Sequence, residues 1–519
     1  MRKINTFIIS CLLMVSFIGC NFLDIDPVSS ITDQNYWKSK PQFEAFNTGT
    51  HGLFRELSYN FFLLGEARSN IYGDQPFGGE ATQGIERLPY NTLNRENTVI
   101  SNFAGMYRVI NQINLMIAKT SDTEILTESE KNYYLGQAYG MRAYLYFQLL
   151  RSWGNVIIHT TYTEGSSLDL ANLAKEASSV TEVMNLIKAD LEASENAFGN
   201  DMTYKFGKQY WSKPATLILK GEVYLWSGNQ MGGGDADYKA AQSALEIVRQ
   251  SSLTLQSDFE RVFAYDNKKN DEIIFTIHNG KDEYSMWNDA YRANLIPQQV
   301  YIGLYYNEDF ISFTQLPDAQ FNGLIRLQPR YDLYQKVFRD SDTRKRASLR
   351  AVYKKEEDNT FTYLAPFAYK FQGVLLEGQS QRSFLDDFPI YRYADCLLLL
   401  AEAKVFLGED PSAEINQIRE RAYGKDFFDA NRATLAYPND NGDFYSDNNY
   451  VGEDNDAMEA VLKERLREFM FEGKRWYDLR LAGAEYVTRY SSADPSRLLW
   501  PINESTLTDN PKLEQTTGY

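Results

Sequence analysis

Three stretches of the chain repeat one arrangement of apolar and polar positions. In residues 137–155, Ala138, Met141, Leu145 and Leu149 fall on one helical stripe. Residues 213–229 open with Pro214 and approach their end at Gly228, residues suited to a helix start and a left-handed cap respectively. Residues 393–408 run through four consecutive leucines, Leu397 to Leu400, and close on Gly408. Ala215, Ala394 and Ala401 leave room for a neighbouring helix to come close. Each stretch has a helical partner, at 100–119, 180–197 and 412–422. Paired helices of this kind predict a tetratricopeptide-like stack. Gly154 and Gly228 stand far closer in sequence than Gly228 and Gly408, however, so a regular array fails and a large insertion is expected.

That insertion, 256–388, has a different texture. Short β-like runs such as Glu272-Ile273-Ile274-Phe275-Thr276-Ile277 sit among Asp, Asn, Gly and Tyr. Irregular stretches of this length inside a folded domain are usually functional or mobile. Others lie at 68–97 and 429–456. The expected fold is mainly α: a helical-pair scaffold with large irregular loop insertions and a few short β-strands. Residues 20–255 form an N-terminal helical region, and 256–519 a C-terminal region holding the insertion and closing helices, in one compact unit.

The first residues are of another kind. Met1-Arg2-Lys3, an apolar run from Ile4 to Ile18 and the small Gly19 make an export signal, residues 1–19. The run is too short to span a bilayer, which needs about 20 apolar residues. Phe17-Ile18-Gly19-Cys20 places a small residue directly before Cys, as in a bacterial lipobox, with Phe17 where Leu is usual. Cleavage after Gly19 and lipid on Cys20 are therefore expected, and several acyl chains suffice for stable anchoring. Cys11 leaves with the signal and Cys396 is then alone with Cys20, so no disulfide is expected and the core must hold the fold. The net charge is -17, and becomes -19 once Arg2 and Lys3 are removed. Such a surface repels phosphate backbones, so nucleic acid is not an expected partner.

Catalytic signatures are missing. His51, His159 and His278 stand in no metal-binding spacing, and there is no Gly-x-Ser-x-Gly elbow, phosphate loop or dinucleotide fingerprint. We expect no enzyme, no metal and no cofactor. The positive anomaly is aromatic: 36 Tyr, 31 Phe and 7 Trp. Trp153, Trp211, Trp226 and Trp476 lie on helix stripes or ends, and Trp500 precedes Pro501-Ile502 near the C-terminus; all five are expected in the core. Trp287 lies in a polar stretch, 282–292, without a period that would bury it. Aromatic faces stack on the C–H face of a sugar ring, and amides, carboxylates and guanidinium groups bond to its hydroxyls. The candidate ligand-binding residues are thus Trp287, Tyr284, Asn288, Tyr291, Arg292, Tyr301 and Tyr305. Arg68, Asn70, Tyr72, Asp74 and Phe77 form a second candidate group of the same composition.

Several motifs in order add a resemblance. Asn21-Phe22-Leu23-Asp24-Ile25-Asp26-Pro27 follows the lipobox, then Asn35-Tyr36-Trp37 and Arg142-Ala143-Tyr144-Leu145-Tyr146-Phe147. Tyr391-Arg392-Tyr393-Ala394-Asp395 and Ile415-Asn416-Gln417-Ile418-Arg419-Glu420-Arg421-Ala422 come later. The most specific is Glu464-Arg465-Leu466-Arg467-Glu468-Phe469-Met470-Phe471-Glu472-Gly473-Lys474-Arg475-Trp476-Tyr477-Asp478-Leu479-Arg480, and Trp500-Pro501-Ile502 follows. In this order they resemble the SusD/RagB family of Bacteroidetes outer-membrane lipoproteins. Alternating Glu and Arg in the long motif tempt a catalytic reading. Its apolar stripe of Met458, Val461, Leu462, Leu466, Phe469 and Met470 instead makes it scaffold, with the charges paired across turns or with neighbours.

The resemblance implies a lipoprotein, lipid-anchored in the outer membrane and facing outward. It would bind oligosaccharides and deliver them to a SusC-like TonB-dependent transporter, acting as its hinged lid. Its ligand site would lie in loops outside the helical pairs, but such sites vary between members and no site residue carries over. Peptide binding of the RagB type, a helical-repeat adaptor without small ligand and a surface hydrolase are the alternatives.

Overall fold

Residues 36–100, 103–163, 173–285, 291–316 and 319–519 are described by a computed structural model. The signal segment 1–19, with its cleavage residue Gly19, and Cys20 lie outside them. The helices start and stop where local chemistry dictates. The main ones of the N-terminal half are α1 (Lys40–Arg55), α2 (Ser58–Glu66), α3 (Ala104–Asp122), α4 (Glu128–Trp153), α5 (Val180–Phe198), α6 (Lys213–Gln230) and α7 (Gly234–Arg249). Thr127 and Glu130 cap α4 reciprocally, the Glu130 amide donating to Thr127 Oγ1 at 3.3 Å and the Thr127 amide to Glu130 Oε2 at 2.8 Å. Ser179 and Glu182 do the same for α5. Pro214 opens α6, and Gly154 closes α4 at φ +79°.

The C-terminal half supplies α8 (Tyr393–Leu407), α9 (Ser412–Tyr423), α10 (Ala457–Phe469), α11 (Arg475–Ala482) and α12 (Ala484–Tyr490). Successive helices pack in pairs from α3 to α9, with α8 lying on α7, α9 and α10. Among the described residues, one hydrophobic core runs from Phe43 to Leu513, beside two small satellite clusters. Ala215, Ala394 and Ala401 are all fully buried in these contacts, and so are Trp211, Trp476 and Trp500. At Gly140 an added Cβ would lie 2.0 Å from Trp211 Nε1, so α4 meets that ring through a bare backbone. Cys396 is buried, its thiol 3.3 Å from the Leu245 carbonyl. No described helix is long and apolar enough to cross a membrane.

Among the described residues, three two-stranded antiparallel sheets decorate the helices. They use β1 (Tyr72–Asp74), β2 (Ile273–Ile277), β3 (Gln328–Pro329), β4 (Leu349–Lys355), β5 (Phe361–Ala368) and β6 (Phe388–Arg392). β2 pairs with β6 and so feeds directly into α8, which ties the insertion to the scaffold at both ends. β4 and β5 form a hairpin with Tyr353 opposite Tyr363. β1 pairs with β3, joining residues far apart in sequence.

Charge, not only apolar packing, fills the centre of the C-terminal half. Glu464 and Glu468 on α10 are fully buried. Glu468 meets Arg392 at 2.6 Å, Arg344 at 3.2 Å and Arg421. Glu464 meets Arg344 and Arg419, each at 2.9 Å. Arg392 also reaches Glu272 at 2.6 Å and Glu472 at 2.9 Å, and Lys370 meets Glu472 at 2.7 Å. Each carboxylate thus binds segments remote in sequence; only Arg467, at 3.4 Å from Glu464, follows the one-turn spacing anticipated for this motif. The network extends to 429–456, a stretch whose polarity suggested mobility. Asp440 and Asp454 there are buried against Arg419, Lys463 and Arg467, so ionic contacts pin it.

Candidate functional site

Trp287 and Asn288 lie outside the described residues. Around them, the remaining members of the first candidate group separate. Tyr284 is half-buried and fastens its loop to the end of α1: its hydroxyl donates to the Arg55 carbonyl at 3.1 Å, and the Arg55 guanidinium covers its ring at 4.7 Å. Tyr291 is buried, its ring edge-on to Phe371 at 5.6 Å and tilted on Phe384 at 5.9 Å. This corrects the expectation for Tyr291, which packs the core because the chain turns inward there and leaves no ring face for a ligand. Arg292 is half-buried at the start of a short helical turn. Tyr301 and Tyr305 are half-buried at the surface.

The second group also divides. Arg68 is fully buried and holds the C-terminal segment, donating to the Arg497, Leu498 and Leu499 carbonyls at 2.6, 3.1 and 2.8 Å and to Asn91 Oδ1 at 2.8 Å. Its guanidinium lies over Trp476 at 4.5 Å. The expectation for Arg68 is corrected accordingly: its donors serve the protein. Asn70 and Tyr72 are buried too, Asn70 donating to the Asn449 carbonyl at 3.3 Å and Tyr72 to Glu66 at 2.6 Å. Asp74 is exposed.

The fold brings parts of the two groups together. Phe77 meets the edge of Tyr305 at 6.1 Å, and a Cβ on Gly78 would lie 3.4 Å from the Tyr301 ring. Gln298 and Arg326 both contact Glu80, at 3.1 and 3.4 Å.

Beside this seam, Asn70, Tyr72 and Asp74 line a cleft of about 260 Å³ together with Tyr90, Arg330, Tyr490, Ser491 and Ser492. Asn70 and Tyr72 form its floor with their polar atoms already bonded. Arg330 follows β3, and its amide donates to the Ile71 carbonyl at 2.9 Å, so the β1–β3 pairing presents the side chain. Its guanidinium lies over Tyr450 at 5.4 Å and, among the described residues, meets no carboxylate within ion-pair distance. Nearby Arg326, Arg339 and Arg350 are each paired. Tyr90, 41% exposed, forms the rim. Sequence reasoning missed Arg330, Tyr331 and Tyr90. Arg330-Tyr331 has the guanidinium-plus-phenol composition used elsewhere to choose candidates, but only the β1–β3 pairing sets it beside Asp74.

From the cleft a line of rings leads across the hairpin. Tyr331 is 51% exposed, and its amide donates to Asp74. Its ring meets Tyr363 at 5.1 Å, Tyr363 meets Tyr353 at 5.5 Å, and Tyr353 meets Phe310 at 5.2 Å. Phe310 stacks on Phe361 at 4.5 Å, and Phe361 meets Tyr306 at 5.1 Å. Phe310 is 50% exposed and takes φ +60°, a left-handed conformation costly for a non-glycine residue. Asn307 Oδ1 imposes it by accepting from the Asp309 and Ile311 amides at 3.1 and 2.8 Å. Flat apolar faces beside a guanidinium, a carboxylate and hydroxyls suit recognition of a polyol with an apolar side. No group of three or more His, Cys, Asp or Glu that could hold a metal occurs among the described residues.

Comparison with known proteins gives matches along the length of the chain. Residues 271–492 match the SusD family, and residues 21–225 match a family described as starch-binding, associating with the outer membrane. A SusD-like protein, P38, of Formosa agariphila is 26% identical over the whole of both chains. Among solved structures, NanU of B. fragilis is 66% identical, with 95% of this chain and 100% of that one covered and a TM-score of 0.92. A SusD superfamily protein from Bacteroides vulgatus is 60% identical, with 93% and 100% covered and a TM-score of 0.90.

Proposed function

The chain belongs to the SusD family, whose members bind glycans at the cell surface, and we propose that it captures oligosaccharides in the Arg330 cleft and on the ring line beginning at Tyr331. The observation that carries this reading is the continuity of the two. A line of rings, half-buried but exposed at Tyr331 and Phe310, ends beside a cleft whose guanidinium has no carboxylate partner among the described residues. A sugar ring stacked on Tyr331 would place hydroxyls toward Arg330 and Asp74. A hydrogen bond to a charged group contributes about 1.5–3 kcal/mol, or roughly 10- to 100-fold in affinity.

Arg330→Ala and Tyr331→Ala are therefore each expected to weaken binding by at least about tenfold, with little change in melting temperature because both side chains are partly solvated. Calorimetric titration with maltohexaose, laminarihexaose, cellohexaose, xylohexaose and released mucin O-glycans would measure it. Unchanged affinity in both variants, for whichever glycan binds, would remove the site from this surface.

The same reading gives the chain a SusC-like TonB-dependent transporter as partner, over which it acts as a lid held by lipid on Cys20. The lipobox at Phe17-Ile18-Gly19-Cys20 and the outer-membrane association of the matched family support this. Cys20→Ala should leave the protein out of the membrane fraction and out of complexes pulled down with the barrel. A variant that still sediments with membranes would refute the anchor.

A further inference from the structure

A small cavity of about 30 Å³ lies where helices of the two halves meet, and it shares no lining residue with the Arg330 cleft. Gln148 and Arg151 reach it from α4, Glu222 from α6, Asp395 from α8, Arg465 from α10 and Lys474 from the turn before α11. Spaced three apart, Gln148 and Arg151 share a face of α4, whose last turns are buried on every side, so both polar side chains are carried inward. Gln148, Arg151, Asp395 and Arg465 are each no more than 3% exposed.

The charges around the cavity are paired. Arg151 meets Glu222, Lys474 meets Asp395, and Arg465 donates to Asp478 at 2.6 Å. The Tyr391 hydroxyl also donates to Glu222, at 2.7 Å, and the Arg392 amide to Asp395, at 2.9 Å. Four buried polar atoms of the lining residues nonetheless meet no hydrogen-bond partner among the described residues: Gln148 Oε1, Arg151 Nε, and Arg465 Nε and Nη1. A buried polar atom left unsatisfied costs its full desolvation, and four such costs together would rival the net stability of a domain. Something must satisfy them.

The walls select what can do so. An anion would suit the three N–H donors but would lie against Glu222, Asp395 and Gln148 Oε1. A cation would suit those oxygens but would lie against Arg151, Arg465 and Lys474. An apolar group would satisfy none of them. A small neutral molecule that both donates and accepts fits all the walls. A water needs about 10–15 Å³ and about three polar partners, so the cavity has room for two. Two waters offer lone pairs for the three N–H groups, and O–H groups for Gln148 Oε1 and the remaining lone pairs of Glu222 and Asp395. We propose that this cavity is a structural hydration site whose two waters bridge Gln148 on α4 to Arg465 on α10, completing a polar joint between the N-terminal and C-terminal helices. The proposal is independent of the glycan reading.

The test is a high-resolution crystal structure of the full mature chain, in wild type, Gln148→Leu and Gln148→Glu, with thermal melting of all three. The wild type should show two ordered solvent peaks in the cavity, each within hydrogen-bond distance of at least three polar atoms, Gln148 Oε1 and Arg465 Nη1 among them. Gln148→Leu removes the acceptor at nearly constant size. It should lose at least one peak and melt about 1–3 °C lower, the cost of one unsatisfied buried polar group spread over a chain of this length. Gln148→Glu keeps an acceptor and should keep both peaks. A wild-type cavity without ordered density overturns the proposal, and so does a peak with the anomalous signal of an ion. Both peaks unmoved in Gln148→Leu overturn the bridge. If Gln148→Leu does not fold, the wild-type density and Gln148→Glu still decide.

Discussion

Glu468→Ala should lower the melting temperature by about 3–5 °C and make the chain far more sensitive to urea. The substitution strips one carboxylate from Arg344, Arg392 and Arg421, which stay in a region from which water is excluded. Breaking a buried ion pair from one side costs about 3–5 kcal/mol, because the remaining charge is left uncompensated. Domain stabilities are only about 5–15 kcal/mol, so this is a large fraction of the total. The unfolding entropy, about 2.1 cal/mol/K per residue, turns that energy into the stated shift if the chain melts as one unit. Glu468→Gln keeps the shape and one acceptor and should cost less. Equal melting of wild type and the Ala variant would mean that the network contributes no net stability.

The same network sets a dependence on acid. Burial alone would raise Glu468, but Arg421, Arg392 and Arg344 overcome it and hold the carboxyl far below its ordinary value. Glu464, likewise buried, is held at about 2 by Arg344, Arg419 and Arg467. A carboxyl depressed on folding contributes its stability fully above its unfolded pKa of about 4.3, and loses it as pH falls through the folded value. The gap between wild type and Glu468→Ala should therefore narrow as pH drops below about 4.3. Glu402 acts with the opposite sign. Burial, only partly offset by Arg465, pushes it up to about 8, so its contribution is lost as pH rises from about 4.3 toward 8. Greatest stability should lie between these two limbs.

Helix pairing was legible because its signals are local. Pro214 at a helix start and Gly408 at a helix end act within one turn, and the leucines of α8 need no partner to be read as apolar. The long Glu/Arg motif was legible as scaffold but not as a network, since Arg344 and Arg392 arrive from more than seventy residues away. Composition alone could not separate a clamp from a ligand contact. Arg68 and Arg330 both stand among tyrosines and asparagines, yet Arg68 spends its donors on the 497–499 carbonyls and Arg330 lines an open cleft. The difference comes from the β1–β3 pairing and the returning C-terminal segment, neither of which leaves a periodic mark in the sequence. Aromatic richness pointed to recognition by rings, but placing Tyr331 at the end of a line required the register of β4 against β5.

Gly65→Ala should destabilise the chain by about 4 kcal/mol or more, enough to reduce the yield of soluble protein, because it separates two backbones that touch. A Cβ on Gly65 in α2 would lie 1.7 Å from the Gly473 carbonyl oxygen and 2.7 Å from its carbon. Both are main-chain atoms, so no rotamer relieves the clash. The 471–473 turn cannot readily retreat: Phe471 and Gly473 take φ of +69° and +75°, and a Cβ at Gly473 would already be 3.0 Å from the Phe62 Cα. Next to Gly65, the buried Glu66 accepts from the Phe471 and Gly473 amides at 3.1 and 3.0 Å. Moving α2 away would break these bonds and leave a buried carboxyl unsatisfied, at about 1–3 kcal/mol, in addition to about 1–3 kcal/mol of overpacking. Gly49→Ala in α1 is the control. Nothing lies within 4 Å of a Cβ there, and a helix gains about 1 kcal/mol from Ala over Gly. Chemical denaturation should place the two variants on opposite sides of wild type. If Gly65→Ala melts with Gly49→Ala, α2 and the 471–473 turn are not in backbone contact, and the joint between the two halves of the chain lies elsewhere.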